Sequence, residues 1–298
     1  INLALLLFTF QTLSAIKIMN KKTLNLVVIF LFSLIWANFA FAQTNQLIKR
    51  TTYKTDTAEL GAGGTVTIVG APNGSLTIEG WNKNEVEVSA EIEMQAATEA
   101  DLALLATISG FVIDEQFGHI RIISIGTHDK NYLKRVAKKF PKNLLNSPLK
   151  IDYKVKVPRF CDLDINSGKG DLKLSNVEGA MQIKAFESNA TLDLIGGTIN
   201  ATFGSGNVDV KINSRSWRGR QATFQVATGT LNVQFPQNMN AEVDATVLRN
   251  GKIENSLTTL KPRDRSKFSE KTMLAKAGSG GTLLSFTVGD GTLKMSNW

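Results

Sequence analysis

The chain has one cysteine, two histidines and no strong excess of charge of either sign. A lone Cys161 excludes an intrachain disulfide. It alternates in phase with Leu163 and Ile165, opposite Asp162 and Asp164, so it reads as a buried thiol that packs as a small hydrophobe. Neither His119 nor His128 has a second His or a Cys at metal-ligand spacing. The chain has no phosphate-binding Gly-x-x-x-x-Gly-Lys loop, no Gly-x-Ser-x-Gly elbow and no Gly-x-Gly-x-x-Gly after a strand. These absences point to a protein without an enzyme's machinery, metal or cofactor. The 34 basic and 26 acidic residues give +8. Three of the cations, Lys17, Lys21 and Lys22, fall in the N-terminal segment, and the mild excess left does not argue for nucleic acid.

Long apolar runs are confined to that N-terminal segment. Met19 is followed by Asn20, Lys21 and Lys22, then by Leu26–Phe32, and the stretch closes on Ala40-Phe41-Ala42. A basic start, an apolar middle and a small-x-small end form an export signal. The reading is translation from Met19, cleavage after Ala42, and an upstream extension over residues 1–18. An uncleaved anchor is the alternative, because residues 24–42 approach spanning length; the small residues at 40 and 42 favour cleavage. No later segment is apolar for long enough to span a bilayer as a helix. The expected location is therefore extracytoplasmic: periplasm, outer-membrane surface or medium.

What the rest of the chain has in quantity is a short unit: a Gly or Asn turn, then alternating apolar and polar residues. It occurs as Gly74-Ser75-Leu76-Thr77-Ile78, Gly170-Asp171-Leu172-Lys173-Leu174, Gly206-Asn207-Val208-Asp209-Val210, Gly229-Thr230-Leu231-Asn232-Val233 and Gly291-Thr292-Leu293-Lys294-Met295. Each unit offers one apolar face, as a half-buried strand requires, and the Gly supplies the turn. Recurrence every 8–11 residues between 170 and 210 also fits the hairpins of a sandwich. Similarity between the copies, and strands with one face to bury, favour stacking on neighbouring rungs. The predicted fold is all-β: a single-stranded β-helix or solenoid of short repeated strands. It has a more irregular N-terminal part over residues 43–150, regular repeats over 151–298, and one or two short helices. With two units to a turn, residues 163–233 would give three to four rungs.

Thr98-Glu99-Ala100-Asp101 forms a capping box ahead of Leu102, Leu104 and Leu105. Residues 127–148 carry Lys130, Lys134, Arg135, Lys138, Lys139 and Lys142 against one acid, Asp129; Tyr132, Leu133, Val136 and Phe140 recur at helical spacing. This segment reads either as a basic contact surface or as a solvated amphipathic helix over the core. Arg215-Ser216-Trp217-Arg218-Gly219-Arg220 fills the longest gap between repeats. Three guanidinium groups around an indole suit an anion or a sugar; a Trp packed under a loop is the other reading. The candidate partner-binding residues are therefore Lys134, Arg135, Lys138, Lys139, Arg215, Trp217, Arg218 and Arg220. Asp162, Asp164, Asp171, Asp193 and Asp209 fall on outward positions, but Lys173, Lys184 and Lys211 lie among them, as on a solvated face.

Two stretches carry a resemblance: Asn73–Val88, with its Ile78-Glu79-Gly80-Trp81 turn, and Tyr153-Lys154-Val155-Lys156-Val157-Pro158 with the repeats that follow. Together they resemble a bacterial adhesin-like domain family of unknown function, related to autotransporter adhesin head domains. The resemblance implies an extracytoplasmic β-helical domain with no catalytic residues to carry over. The expected function is non-enzymatic binding or structural work at the cell envelope, with an envelope protein or a polysaccharide as partner. A periplasmic sensory or scaffolding role is the alternative, and a polysaccharide-active enzyme a more distant one.

Overall fold

Residues 47–136, 140–263 and 265–298 are described by the computed structural model. The N-terminal segment read as an export signal, Lys138 and Lys139 lie outside the described residues. The chain runs β1 (Ile48–Glu59), β2 (Thr65–Val69), β3 (Leu76–Trp81), β4 (Glu85–Ala96), α1 (Glu99–Ile108), β5 (Gly110–Gln116) and β6 (His119–Ile125). It continues through α2 (Lys130–Val136), a 3-10 turn (Lys142–Leu144), β7 (Leu149–Pro158), β8 (Asp162–Lys169), β9 (Leu172–Ser175), β10 (Ala180–Glu187) and β11 (Ala190–Leu194). β12 (Thr198–Ile212), β13 (Gln221–Phe235), β14 (Ala241–Val247), β15 (Gly251–Asn255), β16 (Lys261–Pro262), β17 (Thr272–Ala277) and β18 (Leu283–Asn297) complete it. The all-β expectation holds.

The strands form two arms that face each other. In the first arm, β6, β2, β8, β10, the first half of β12, the first half of β13, the first half of β18 and β14 pair in parallel, in that order. In the second, β7, β3, β9, β11 and the second halves of β12, β13 and β18 do the same, ending on β15. Antiparallel strands close the ends: β5 on β6, and β4 on β7 with β1 on β4, at one end; β17 on β14 and β16 on β17 at the other.

Register explains the core. Strict alternation sends every second side chain inward, and in-register pairing stacks those side chains into columns. Ile68, Ile165, Ile183, Ala201, Phe224, Phe286 and Ala245 form one such column, all buried. The arms meet across it: Phe286 stacks on Phe224 at 5.5 Å, and its edge meets Phe235 of the opposite arm at 5.9 Å. Removing this apolar surface from water drives the assembly, at about 25 cal/mol per Å². Cys161 is part of the same core.

The bend between arms needs glycine. Gly206, Gly229 and Gly291 align on adjacent rungs with φ of 131°, 136° and 139°. A Cβ on Gly229 would sit 2.0 Å from the Gly206 carbonyl oxygen, and one on Gly291 1.8 Å from that of Gly229. Only a hydrogen fits where one rung's carbonyl meets the next rung's α-carbon. β12, β13 and β18 each run unbroken through such a bend, so paired repeat units form one long strand rather than the two short ones the sequence predicts.

Two expectations are refined. Residues 65–81 belong to a regular rung, although they lie in the N-terminal part read as irregular. The rungs also do not stack in chain order. β2 and β3 sit between the β6/β7 rung and the β8/β9 rung, and β18 sits between β13 and the β14/β15 rung. α1 forms where the capping box predicts. Thr98 caps it by accepting from the Asp101 amide at 3.1 Å, and Leu102, Leu105 and Ile108 are buried.

Candidate functional site

The described molecule departs most from the rung pattern at residues 126–148, between β6 and β7. Asp129 starts α2 by accepting the amides of Asn131 and Tyr132 at 3.0 and 2.9 Å, and Leu133 is buried beneath the helix. Lys134 and Arg135 lie exposed in its last turn. Residues 127–131, Lys142 and Leu145–Leu149 of this segment border a groove together with the bends of neighbouring rungs.

The groove has two adjoining hollows. The first, of about 720 Å³, runs from Ser124 and His128–Asn131 across the bends of three rungs: Val69–Pro72, Asn166–Lys169 and Phe186. The second, of about 620 Å³, lies between Asn73, Thr127, Lys142 and Leu145–Leu149. Pro72, His128 and Lys130 border both. Volumes in this range hold small ligands.

Its electrostatics are one-sided. Lys130 lies at the junction, Lys169 in the first hollow and Lys142 in the second, and no carboxylate lines the second. Asp129 is the one acid lining the first, and its Oδ1 is already engaged by two helix amides. Lys169 reaches Glu187 at 2.9 Å, an exposed pair of the kind worth about 0–1 kcal/mol. Burial pushes the His128 imidazole below its ordinary pKa, against the opposing effects of the Ser124 backbone and Asp129. Phe186 is 61 % exposed on the groove wall, with the Lys169 ammonium 5.9 Å from its ring centre.

The candidates named from sequence fall in separate places. Lys134 and Arg135 are exposed on α2 but do not line the groove. The Arg215–Arg220 loop is stitched into the corner between rungs, and one correction follows. Trp217 is 7 % exposed, and its indole N–H donates to the Gly197 carbonyl at 2.7 Å. The ring is core packing and offers no face to a ligand. Arg218 pairs with Glu178 at 2.8 Å, and its carbonyl accepts from the Gly197 amide. Arg215 and Arg220 stand exposed beside it. The groove residues Lys169 and Phe186 carry no local sequence signal; register alone brings them to the excursion.

The outward aspartates do not converge. Asp162 and Asp164 ride on β8 in the first arm, Asp193 and Asp209 on β11 and β12 in the second. Among the described residues no three His, Cys, Asp or Glu side chains are placed to share a metal ion. His119 is held in its strand, 2.9 Å from the Thr67 hydroxyl.

The Toastrack DUF4097 family model matches residues 88–296. The chain belongs to this family. The Toastrack match takes in the Tyr153–Pro158 strand and the repeats after it, whereas all but the last residue of the Asn73–Val88 stretch precedes it. No curated protein sequence matches the chain. Among solved structures, it is similar to a candidate cell adhesion protein from Clostridium sporogenes, at 12 % identity and a TM-score of 0.41, over 84 % of this chain and 100 % of that one. A candidate adhesin from Bacteroides fragilis gives 11 %, 0.31, 83 % and 97 % for the same measures. A candidate lipid binding protein from Parabacteroides distasonis gives 13 %, 0.25, 82 % and 96 %. At 11–13 % identity those designations describe those proteins and are not transferred to this Toastrack chain. Among the described residues no helix is long and apolar enough to cross a membrane.

Proposed function

We propose that the chain is an exported, non-enzymatic binding module of the cell envelope, adhesin-like in character, and that its architecture is a single-stranded β-helix. In-register parallel rungs with a glycine column at the bend support the architectural part. The observation that carries the functional part is the cationic groove bordered by residues 127–131, Lys142 and Leu145–Leu149. A stacked β scaffold carries this excursion beside its bends, where Lys130 and Lys142 of the excursion and Lys169 of a rung border hollows lined by one acid, Asp129. Rigid scaffolds commonly present binding residues on such loops. An extracytoplasmic location follows from the export signal, and the partner is an anionic component of the envelope, either polysaccharide or protein.

The test is fractionation of cells that express the full tagged chain, followed by co-sedimentation with isolated envelopes at low and high salt. The expected result is an extracytoplasmic chain retained by envelopes, with retention falling as salt screens the lysines. A cytoplasmic chain, or one that envelopes never retain, overturns the proposal.

A further inference from the structure

The groove carries more than charge, and its other features narrow the ligand. Phe186 is a large apolar ring held mostly in water at a rung bend, where it contributes little burial to the fold and presents a face to the groove. It borders the first hollow together with Lys169. A simple anion has no use for such a ring, but the C–H face of a sugar does. The second hollow adds amide and hydroxyl groups from Asn73, Asn146 and Ser147 beside Lys142. These can exchange hydrogen bonds with hydroxyl groups in either direction.

The two hollows share Pro72, His128 and Lys130, so a ligand that fills both must be longer than one compact unit and carry negative charge near the junction. An acidic peptide meets the charge requirement. The groove, however, is lined by rung bends and a loop, not by the open edge of a strand where an extended peptide would add its backbone.

We infer that the groove binds an acidic oligosaccharide, a chain of uronic acid units. Its carboxylates would meet Lys130, Lys142 and Lys169, one ring would lie on Phe186, and its hydroxyls would meet the amides of the second hollow. This rests on the reading of the groove as the contact site of a binding module.

The test is isothermal titration of the full chain with four probes: an oligogalacturonate of several units, a neutral oligosaccharide of equal length, poly-glutamate and inorganic phosphate. The inference expects binding of the oligogalacturonate, at least about tenfold tighter than that of the neutral chain. It expects a loss of about tenfold or more in the Lys130→Ala/Lys142→Ala variant. It also expects a weakening in Phe186→Ala, whose exposed side chain can be removed without opening the core. Equal binding of the neutral chain overturns it. So does poly-glutamate or phosphate binding as tightly as the uronate, or a Phe186→Ala variant that binds the uronate unchanged. If no sugar binds while envelopes still retain the protein, the inference fails and the binding-module reading stands; if envelope retention is also absent, both fail.

Discussion

Cys161 shows how much of a residue's chemistry its surroundings decide. Burial, followed by the neighbouring Asp162 carboxylate, pushes the thiol up to about 12. Burial likewise raises the Tyr153 phenol to about 12, against the bond its hydroxyl shares with Ser124 at 2.7 Å. A folded pKa above the unfolded value means that both groups stabilise the fold fully below their ordinary ranges. That contribution is lost as pH rises from about 9 toward about 12. At pH 8 a disulfide reagent is expected to leave the native thiol unmodified and to react completely in denaturant, because only the thiolate attacks. Prompt modification of the folded chain would contradict the burial. Alternation alone made this residue legible in the sequence. The same kind of reading divided at Trp217, because the partner that buries its indole, the Gly197 carbonyl, lies on the adjacent rung and leaves no mark near the tryptophan.

Among the elements, the repeat unit was the clearest feature of the chain, and the strands of residues 162–235 do pair in parallel and in register in successive layers. Fusion of two units into one bent strand was not legible, because a turn glycine and a bend glycine look the same in sequence. Structure separates them by what stands opposite the α-carbon. Gly229→Ala places a methyl against the Gly206 carbonyl at a φ of 136°, and a loss of about 2 kcal/mol or more is expected in urea denaturation. Gly61→Ala meets nothing within 4 Å and has an ordinary φ, so it should change stability by no more than about 0.5 kcal/mol. Equal midpoints for the two variants would refute the close-packed glycine column.

For the whole molecule, the decisive arrangement was hidden because chain order and stacking order differ. The inner columns of the first arm join residues from 66 to 288, and the strand at each end of the stack closes over rungs made elsewhere in the sequence. The groove inherits this. Lys130 and Lys142 come from the excursion, Pro72 from an early rung, and Lys169 and Phe186 from rungs that follow the excursion in the chain. Sequence placed the basic segment correctly as an interruption of the β pattern. It named Lys134, Arg135, Lys138 and Lys139 as candidates, and spacing along a helix could not single out Lys130 and Lys142 as the lysines that border the groove. The most direct measurement is envelope retention of the full chain in three forms: wild type, Lys130→Glu/Lys142→Glu in the groove, and Lys173→Glu/Lys294→Glu on the outer face of the second arm. A drop of about tenfold or more is predicted for the groove pair alone; retention equal to wild type in the groove pair, or an equal drop in both, would contradict the groove as the contact site.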